Sequence, residues 1–124
     1  MTRAKDIMTT NVITIEPKAT VAEALERFRR AGIRCLIVER QSADDCYGIV
    51  TQRDVAYRVI ARGLDPAKAR VHEVMTKPLA SVNEDMSVTD VARLMCNLGL
   101  SRFPVLSEGE MQGIISVSDI VTAA

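Results

Sequence analysis

Two four-residue patterns in the chain, Thr51-Gln52-Arg53-Asp54 and Ser116-Val117-Ser118-Asp119, set a hydroxyl three residues ahead of a carboxylate. Each follows an apolar run of strand character, Gly48-Ile49-Val50 and Gly113-Ile114-Ile115. A strand that breaks into Thr/Ser-x-x-Asp is the start of a helix. The hydroxyl accepts a backbone N–H at the first turn and the carboxylate answers as the acidic half of a capping box. The same arrangement has a second use. A helix N-terminus gathers unpaired N–H groups and positive dipole, so a hydroxyl and a carboxylate beside it suit a phosphate and a sugar diol. Capping is the commoner role of an isolated Thr-x-x-Asp; its recurrence in register with everything before it raises the ligand reading.

The elements that position these residues repeat as well. Val12-Ile13-Thr14-Ile15 reads as a short strand ended by Pro17. Thr20-Val21-Ala22-Glu23 is a capping box, and Val21, Ala24, Leu25, Phe28 and Ala31 recur at helical spacing until Gly32. Arg34 to Glu39 reads as a buried strand and Gln41 to Asp45 as a turn. Tyr47 to Val50 is a third strand that runs into a helix near Thr51, with Val55, Val59 and Ile60 expected on its inner face and Gly63 as its stop. An offset of 67 residues lays Met8-Thr9 on Met75-Thr76, Thr20 on Ser87, Phe28 on Met95, Gly32 on Gly99 and Val38 on Val105. Beyond the turn the offset becomes 65, which superposes Gly48 on Gly113 and Asp54 on Asp119. A change of loop length belongs in a turn.

The reading is therefore an α+β chain of two β-α-β-β-α repeats, 1–63 and 73–124, joined by a connector over 64–72. Two half-sized units that each leave an apolar sheet face open are expected to pack sheet to sheet as a pseudo-twofold pair, neither folding well alone. That arrangement puts a cleft between the repeats and opens both Thr/Ser-x-x-Asp junctions into it.

Composition narrows the function. The chain has 124 residues, 48% of them apolar and 26% charged, with sixteen basic and sixteen acidic side chains. A balanced charge and four aromatics argue against nucleic acid; Arg27, Arg29 and Arg30 read as the wet face of the first long helix. No apolar run nears the roughly 20 residues of a membrane span, and no signal-peptide core is present, so the expected location is cytoplasmic. Cys35, Cys46 and Cys96 form no Cys-x-x-Cys; Cys35 and Cys96 sit in apolar patterns and read as core thiols. The single His72 has no ligand-spaced partner, so no metal site is expected, and no nucleophile–base pattern marks an enzyme. Met86, Met95 and Met111 read as core filling.

With Gly-h-h-Thr/Ser-x-x-Asp endings and a Met-Thr opening to each β-α-β-β-α unit, the sequence resembles a tandem pair of CBS domains, a Bateman module, from Asp6 to about Val121. The small stand-alone bacterial and archaeal members are the nearest type. The resemblance implies a regulatory module that binds an adenosyl ligand such as AMP, ADP, ATP, NAD or S-adenosylmethionine, with no cofactor required, and that signals to an unidentified partner protein. It implies ribose-binding carboxylates at Asp54 and Asp119, with Thr51 and Ser116 near phosphate. Pockets in the family are shared between repeats. The pocket of Asp54 would thus take an adenine wall from Lys77, Pro78, Leu79 and Ala80 and a cation from Arg102; that of Asp119 would use Asn11, Val12, Ile13 and Arg34. Repeat two has Arg102-Phe103-Pro104-Val105, close to the family's second strand, whereas repeat one has Cys35-Leu36-Ile37-Val38 without proline. Arg53, where repeat two has Ser118, adds a positive charge to the first pocket, to meet a phosphate or to lie solvated on the helix. A homodimer is implied, with Val55 to Arg62 and the helix from Ile120, short before Ala124, as its contact surface. The competing expectation is a structural dimerisation module whose aspartates only cap.

Overall fold

The computed structural model describes residues 1–77 and 80–124. Among the described residues six short strands form two three-stranded sheets with the same internal pattern, β1-β2-β3 and β4-β5-β6. In the first, β1 (Thr14–Ile15) lies parallel to β2 (Cys35–Val38), which is antiparallel to β3 (Gly48–Thr51). In the second, β4 (Val82–Asn83) lies parallel to β5 (Arg102–Ser107), which is antiparallel to β6 (Glu110–Ser116). The parallel pairs are bridged by the two long helices, α2 (Val21–Ala31) and α5 (Val88–Leu98). This is the expected α+β repeat architecture.

Both long helices are fixed at their ends by local chemistry. Thr20 and Ser87 accept the N–H groups of Glu23 and Asp90, and Gly32 and Gly99 end the helices in the left-handed region at φ 64° and 67°. A side chain there would meet its own backbone, which is why glycine stands at both stops. Along α2, Val21, Ala24 and Phe28 are buried as the spacing requires, while Ala31 at the last turn is exposed.

The chain clusters into two compact units that interleave along the sequence: Ile13–Leu79, and Met1–Val12 together with Ala80–Ala124. The exchange is made by two short helices that the sequence pattern does not reveal. Helix α4 (Val71–Val74) buries Val71 and Val74 in the core of the first unit, with Val38, Val50 and Phe28. Its N-terminal backbone pairs with the entry to α2: Val71 N–H donates to Ala19, and Val21 N–H donates to Ala69. Helix α1 (Ala4–Ile7) does the same in the other unit, where Ala4 packs with Val82, Phe103 and Ile115, and Ala4 N–H donates to Met86. Asp6 and Glu73 each receive the cap N–H at 2.8 Å, of Arg3 and Arg70 respectively.

Two details correct the helical pattern of the first repeat. Helix α3 (Gln52–Val55) runs into a π-turn over Ala56–Ile60, so Ala61 N–H reaches back to Ala56. Val55 and Val59 face inward, but Ile60, one step further round the helix, is 58% exposed. Of the three methionines expected to fill core, Met95 is buried and Met86 packs against the same cluster, whereas Met111 is only partly buried and belongs to neither core.

After α1 and α4 the chain crosses the third strand of the same unit. Thr9 pairs with Ile114 and Thr76 with Ile49, each by two backbone hydrogen bonds of 2.8–3.1 Å. The preceding glycines make room: a Cβ on Gly113 would stand 2.6 Å from the Thr9 carbonyl oxygen, and one on Gly48 would stand 3.2 Å from the Thr76 oxygen and 2.9 Å from the Met75 sulfur. The first obstacle is rigid backbone and the second mostly a flexible side chain. Gly113→Ala should therefore destabilise by about 1–3 kcal/mol and Gly48→Ala by clearly less; urea unfolding of the two variants checks the order, and equal losses would contradict it.

Candidate functional site

Both hydroxyl–carboxylate junctions form as capping boxes. Asp54 accepts the Thr51 N–H at 2.8 Å and Thr51 Oγ1 accepts the Asp54 N–H at 3.1 Å. Asp119 accepts the Ser116 N–H at 2.8 Å, and Ser116 Oγ accepts the Asp119 N–H at 3.2 Å. Each carboxylate thus holds one oxygen, Oδ2, on the backbone and has the other for a different task. At Ser116, where β6 meets α6 (Val117–Ala123), that oxygen receives the hydroxyl of Thr9 at 3.3 Å. At Thr51 it faces Arg58, whose Nε is 4.0 Å away, and the Asp54 side chain is only 14% exposed.

Arg58 and Thr9 are site neighbours that the sequence patterns do not single out. Arg58 also donates to the carbonyls of Val74 and Met75 at 3.0 and 3.3 Å, so it ties the carboxylate to the chain leading to Thr76. Its signal is the spacing of an acid four residues before a base on one helix. The signal for Thr9 is the repeated Met-Thr, whose second member crosses the third strand in both units.

Of the residues expected at the pocket of Asp54, Lys77 lies in the same compact unit, one residue past the Thr76–Ile49 bridge. Pro78 and Leu79 lie outside the described residues. Ala80 belongs to the other unit and packs beside Phe103 and Val82. Of those expected at Asp119, Asn11 and Val12 follow Thr9 in its unit, while Ile13 packs in the core of the first. The backbone of each arginine lies beside the junction of its own repeat: Gln52 N–H donates to the Arg34 carbonyl at 3.0 Å, and Arg102 stands opposite Ser116 in the sheet. Arg53 has its guanidinium 6.0 Å from the ring of Tyr57.

Lys77 is engaged by Asp45, Nζ to Oδ2 at 2.7 Å, with both side chains about a quarter exposed. Asp45 sits in the turn that the first repeat has lengthened. The Lys77 hydrogen bond, helped by the Gln41 N–H, pulls the Asp45 carboxyl down to about 2.

Other candidates recede. Arg27 donates to the Thr14 carbonyl at 2.6 Å, and Arg29 and Arg30 pair with Glu26, each at 3.2 Å, so the three arginines serve the helix that carries them. Cys96 is exposed beside Leu100 and Val121 rather than buried, because it falls one position past the inward Met95; Cys35 is partly buried. Among the described residues no group of three His, Cys, Asp or Glu is arranged to hold a metal, and no helix is long and apolar enough to cross a membrane.

The CBS-domain family model matches residues 4–61 and 71–124. A hexameric CBS-CP12 protein from bloom-forming cyanobacteria superposes with a TM-score of 0.92 at 45% identity, over 98% of this chain and 70% of that one. The cytosolic domain of the Mg2+ channel MgtE, in complex with ATP, superposes with a TM-score of 0.80 at 28% identity, over 99% of this chain and 49% of that one. An uncharacterised protein of Methanopyrus kandleri, MK0525, is 31% identical over 112 residues, 90% of this chain, which spans 57% of that relative's length.

The Asp45–Lys77 pair has a pH signature. A carboxyl held below its ordinary 3.8 stabilises the fold above that pH and loses the contribution as the pH falls towards 2. Asp45→Asn should unfold at lower urea than the wild type at pH 7, with the gap closing between pH 4 and pH 2; a gap independent of pH would contradict the pairing.

Proposed function

Since the chain belongs to the CBS-domain family, with two repeats in tandem, we propose that it is a regulatory module that binds an adenosyl ligand at its Thr/Ser-x-x-Asp junctions. AMP, ADP and ATP are the first candidates, with NAD and S-adenosylmethionine as related ones. The observation that carries the reading is the doubled junction, in which a carboxylate keeps one oxygen on the backbone and has the other facing a neighbouring side chain, Arg58 at Asp54 and Thr9 at Asp119. Asp54 and Asp119 then accept the ribose diol, and Thr51 and Ser116 donate to phosphate. Lys77, Pro78, Leu79, Ala80, Asn11, Val12 and Ile13 supply adenine-facing backbone, and Arg34, Arg53 and Arg102 supply cations. An ATP complex of a relative with the same fold supports the ligand class.

Binding is the favoured class over catalysis, because the carboxylate that the Ser116 and Thr9 hydroxyls reach is itself engaged in capping the helix. The ligand acts by binding one arrangement of the module more tightly than another, which is the only way it can bias a partner protein. Association into a homodimer fits the apolar side chains that the outer helices leave exposed, Tyr57 and Ile60 on one repeat and Val117 and Val121 on the other.

A second reading has its own observation: both aspartates already complete capping boxes, which a purely structural dimerisation module would also need. Thermal melts with AMP, ADP, ATP, NAD and S-adenosylmethionine, on wild type, Asp54→Ala and Asp119→Ala, separate the two. Ligand at 100 times its Kd adds about 2.7 kcal/mol, raising the midpoint by about 10 °C. The sensor reading expects such a shift for one ligand class and its loss in an aspartate variant. Flat melts, with the variants weaker by only about 1 kcal/mol, would leave the structural module.

A further inference from the structure

The second oxygen of each junction aspartate is already occupied, and in both units its partner belongs to, or holds, the segment that crosses the third strand. Thr9, which crosses at Ile114, donates its hydroxyl to Asp119 Oδ1 at 3.3 Å. Thr76 crosses at Ile49, and the link to Asp54 there is indirect. Arg58 Nε lies 4.0 Å from Asp54 Oδ1, and the same guanidinium donates to the carbonyls of Val74 and Met75 at 3.0 and 3.3 Å, on the last two peptide groups before Thr76. The repeat offsets lay Thr9 on Thr76 but Arg58 on Ala123. A methyl group cannot reach a carboxylate, so the second repeat makes the link with a hydroxyl and the first with a cation.

The two oxygens of each carboxylate are held unequally. Oδ2 accepts the cap N–H at 2.8 Å in both junctions. Oδ1 has the longer contacts, from an exposed threonine in one case and from an arginine side chain 44% exposed in the other, and contacts of that kind are weak. Oδ1 is therefore the exchangeable oxygen. A ribose diol that takes it must displace Thr9 or Arg58, and the displaced group is part of the crossing segment or is bonded to it. Ligand binding then distinguishes two arrangements, crossing segment held and crossing segment released, which is the condition for a signal.

Resting on the adenosyl-ligand reading above, we infer that Thr9 and Arg58 are autoinhibitory latches: each occupies the carboxylate oxygen that a ribose needs, and the ligand acts by displacing it and freeing the segment that crosses the third strand. The competition has a sign. Removing a latch tightens ligand binding, whereas removing a side chain that only props the site weakens it.

Amide-resolved NMR titration with adenosine and with ATP tests this on the wild type, Arg58→Gln, Thr9→Val and Thr9→Ser, with affinity read separately at the Asp54 and Asp119 amides. Adenosine has no phosphate, so its affinity does not fall merely because a cation has been removed. Arg58→Gln should bind adenosine about threefold more tightly at Asp54, with Asp119 unchanged. Thr9→Val should gain about threefold at Asp119, with Asp54 unchanged, while Thr9→Ser, which keeps the hydroxyl, matches the wild type. Adenosine should also move the Met75 and Thr76 amides of the wild type but not those of Arg58→Gln, whose Asp54 amide still responds. Each variant tests its own junction, so one remains decisive where the other fails to fold. Unchanged or weaker adenosine binding by a folded latch variant, or undiminished movement of Met75 and Thr76 in Arg58→Gln, would overturn the assignment at that junction while leaving adenosyl binding intact. A wild type that responds to ATP and not to adenosine would overturn the latches alone; one that responds to neither would overturn them together with the reading on which they rest.

Discussion

The architecture of both junctions depends on a backbone being allowed to lie against a backbone. Thr9 crosses Ile114 and Thr76 crosses Ile49, each on a strand that a glycine has left bare one residue earlier, and the tolerance at Gly113 is so small that a methyl group would overlap the Thr9 oxygen. From that contact follows the rest of the local chemistry. It delivers the Thr9 hydroxyl to Asp119, and it brings the carbonyls of Val74 and Met75 alongside the helix that carries Asp54 and Arg58. The glycine, the strand, the hydroxyl and the carboxylate therefore form one device, with the glycine setting the distance and the capping box setting the direction of the carboxylate.

The second constraint is the interleaving of the two repeats. The short helix that precedes each repeat's first strand is buried in the core of the other repeat, through Ala4 in one case and Val71 in the other, both fully buried. A core residue on a four-residue helix cannot hold itself in place, since a helix that short is not stable in isolation. Its position is fixed by backbone hydrogen bonds to the start of the long helix and by the acid that caps it. The unit of Met1–Val12 and Ala80–Ala124 is completed only after the chain has passed through Ile13–Leu79, and the Ile13–Leu79 unit is completed by the helix that leads into the second repeat.

Much of this is legible in the residues, for identifiable reasons. The long helices are readable from both ends because Thr20 and Ser87, Gly32 and Gly99 are chemically specific signals, and the junctions are readable because a hydroxyl and an acid three apart have few other uses at the end of a strand. The short helices are hidden: four residues carry no periodicity, and Asp6 and Glu73 cap with a carboxylate answered by no hydroxyl. Ile60 departs from its expected inner face because a π-turn changes the angular step that the pattern assumes. Cys96 departs from the core because an apolar neighbourhood in sequence is not a buried face. Arg58 is obscured because its partner Asp54 already has a role in the cap, and the pairing of Lys77 with Asp45 joins residues 32 positions apart, a separation at which spacing carries no information. The glycines mark the repeat in the sequence, yet their reason, the approach of a second backbone, exists only in three dimensions.

The most direct test of adenosyl binding at the two junctions is an amide-resolved NMR titration of the wild-type chain with ATP. Shifts should concentrate at Thr51 to Asp54, Ser116 to Asp119 and the crossing segments at Thr9 and Thr76, with the outer face of α2 from Glu26 to Arg30 left unmoved. A spectrum that does not respond to ATP, or responds along Arg27 to Arg30 and not at the two aspartates, would contradict it.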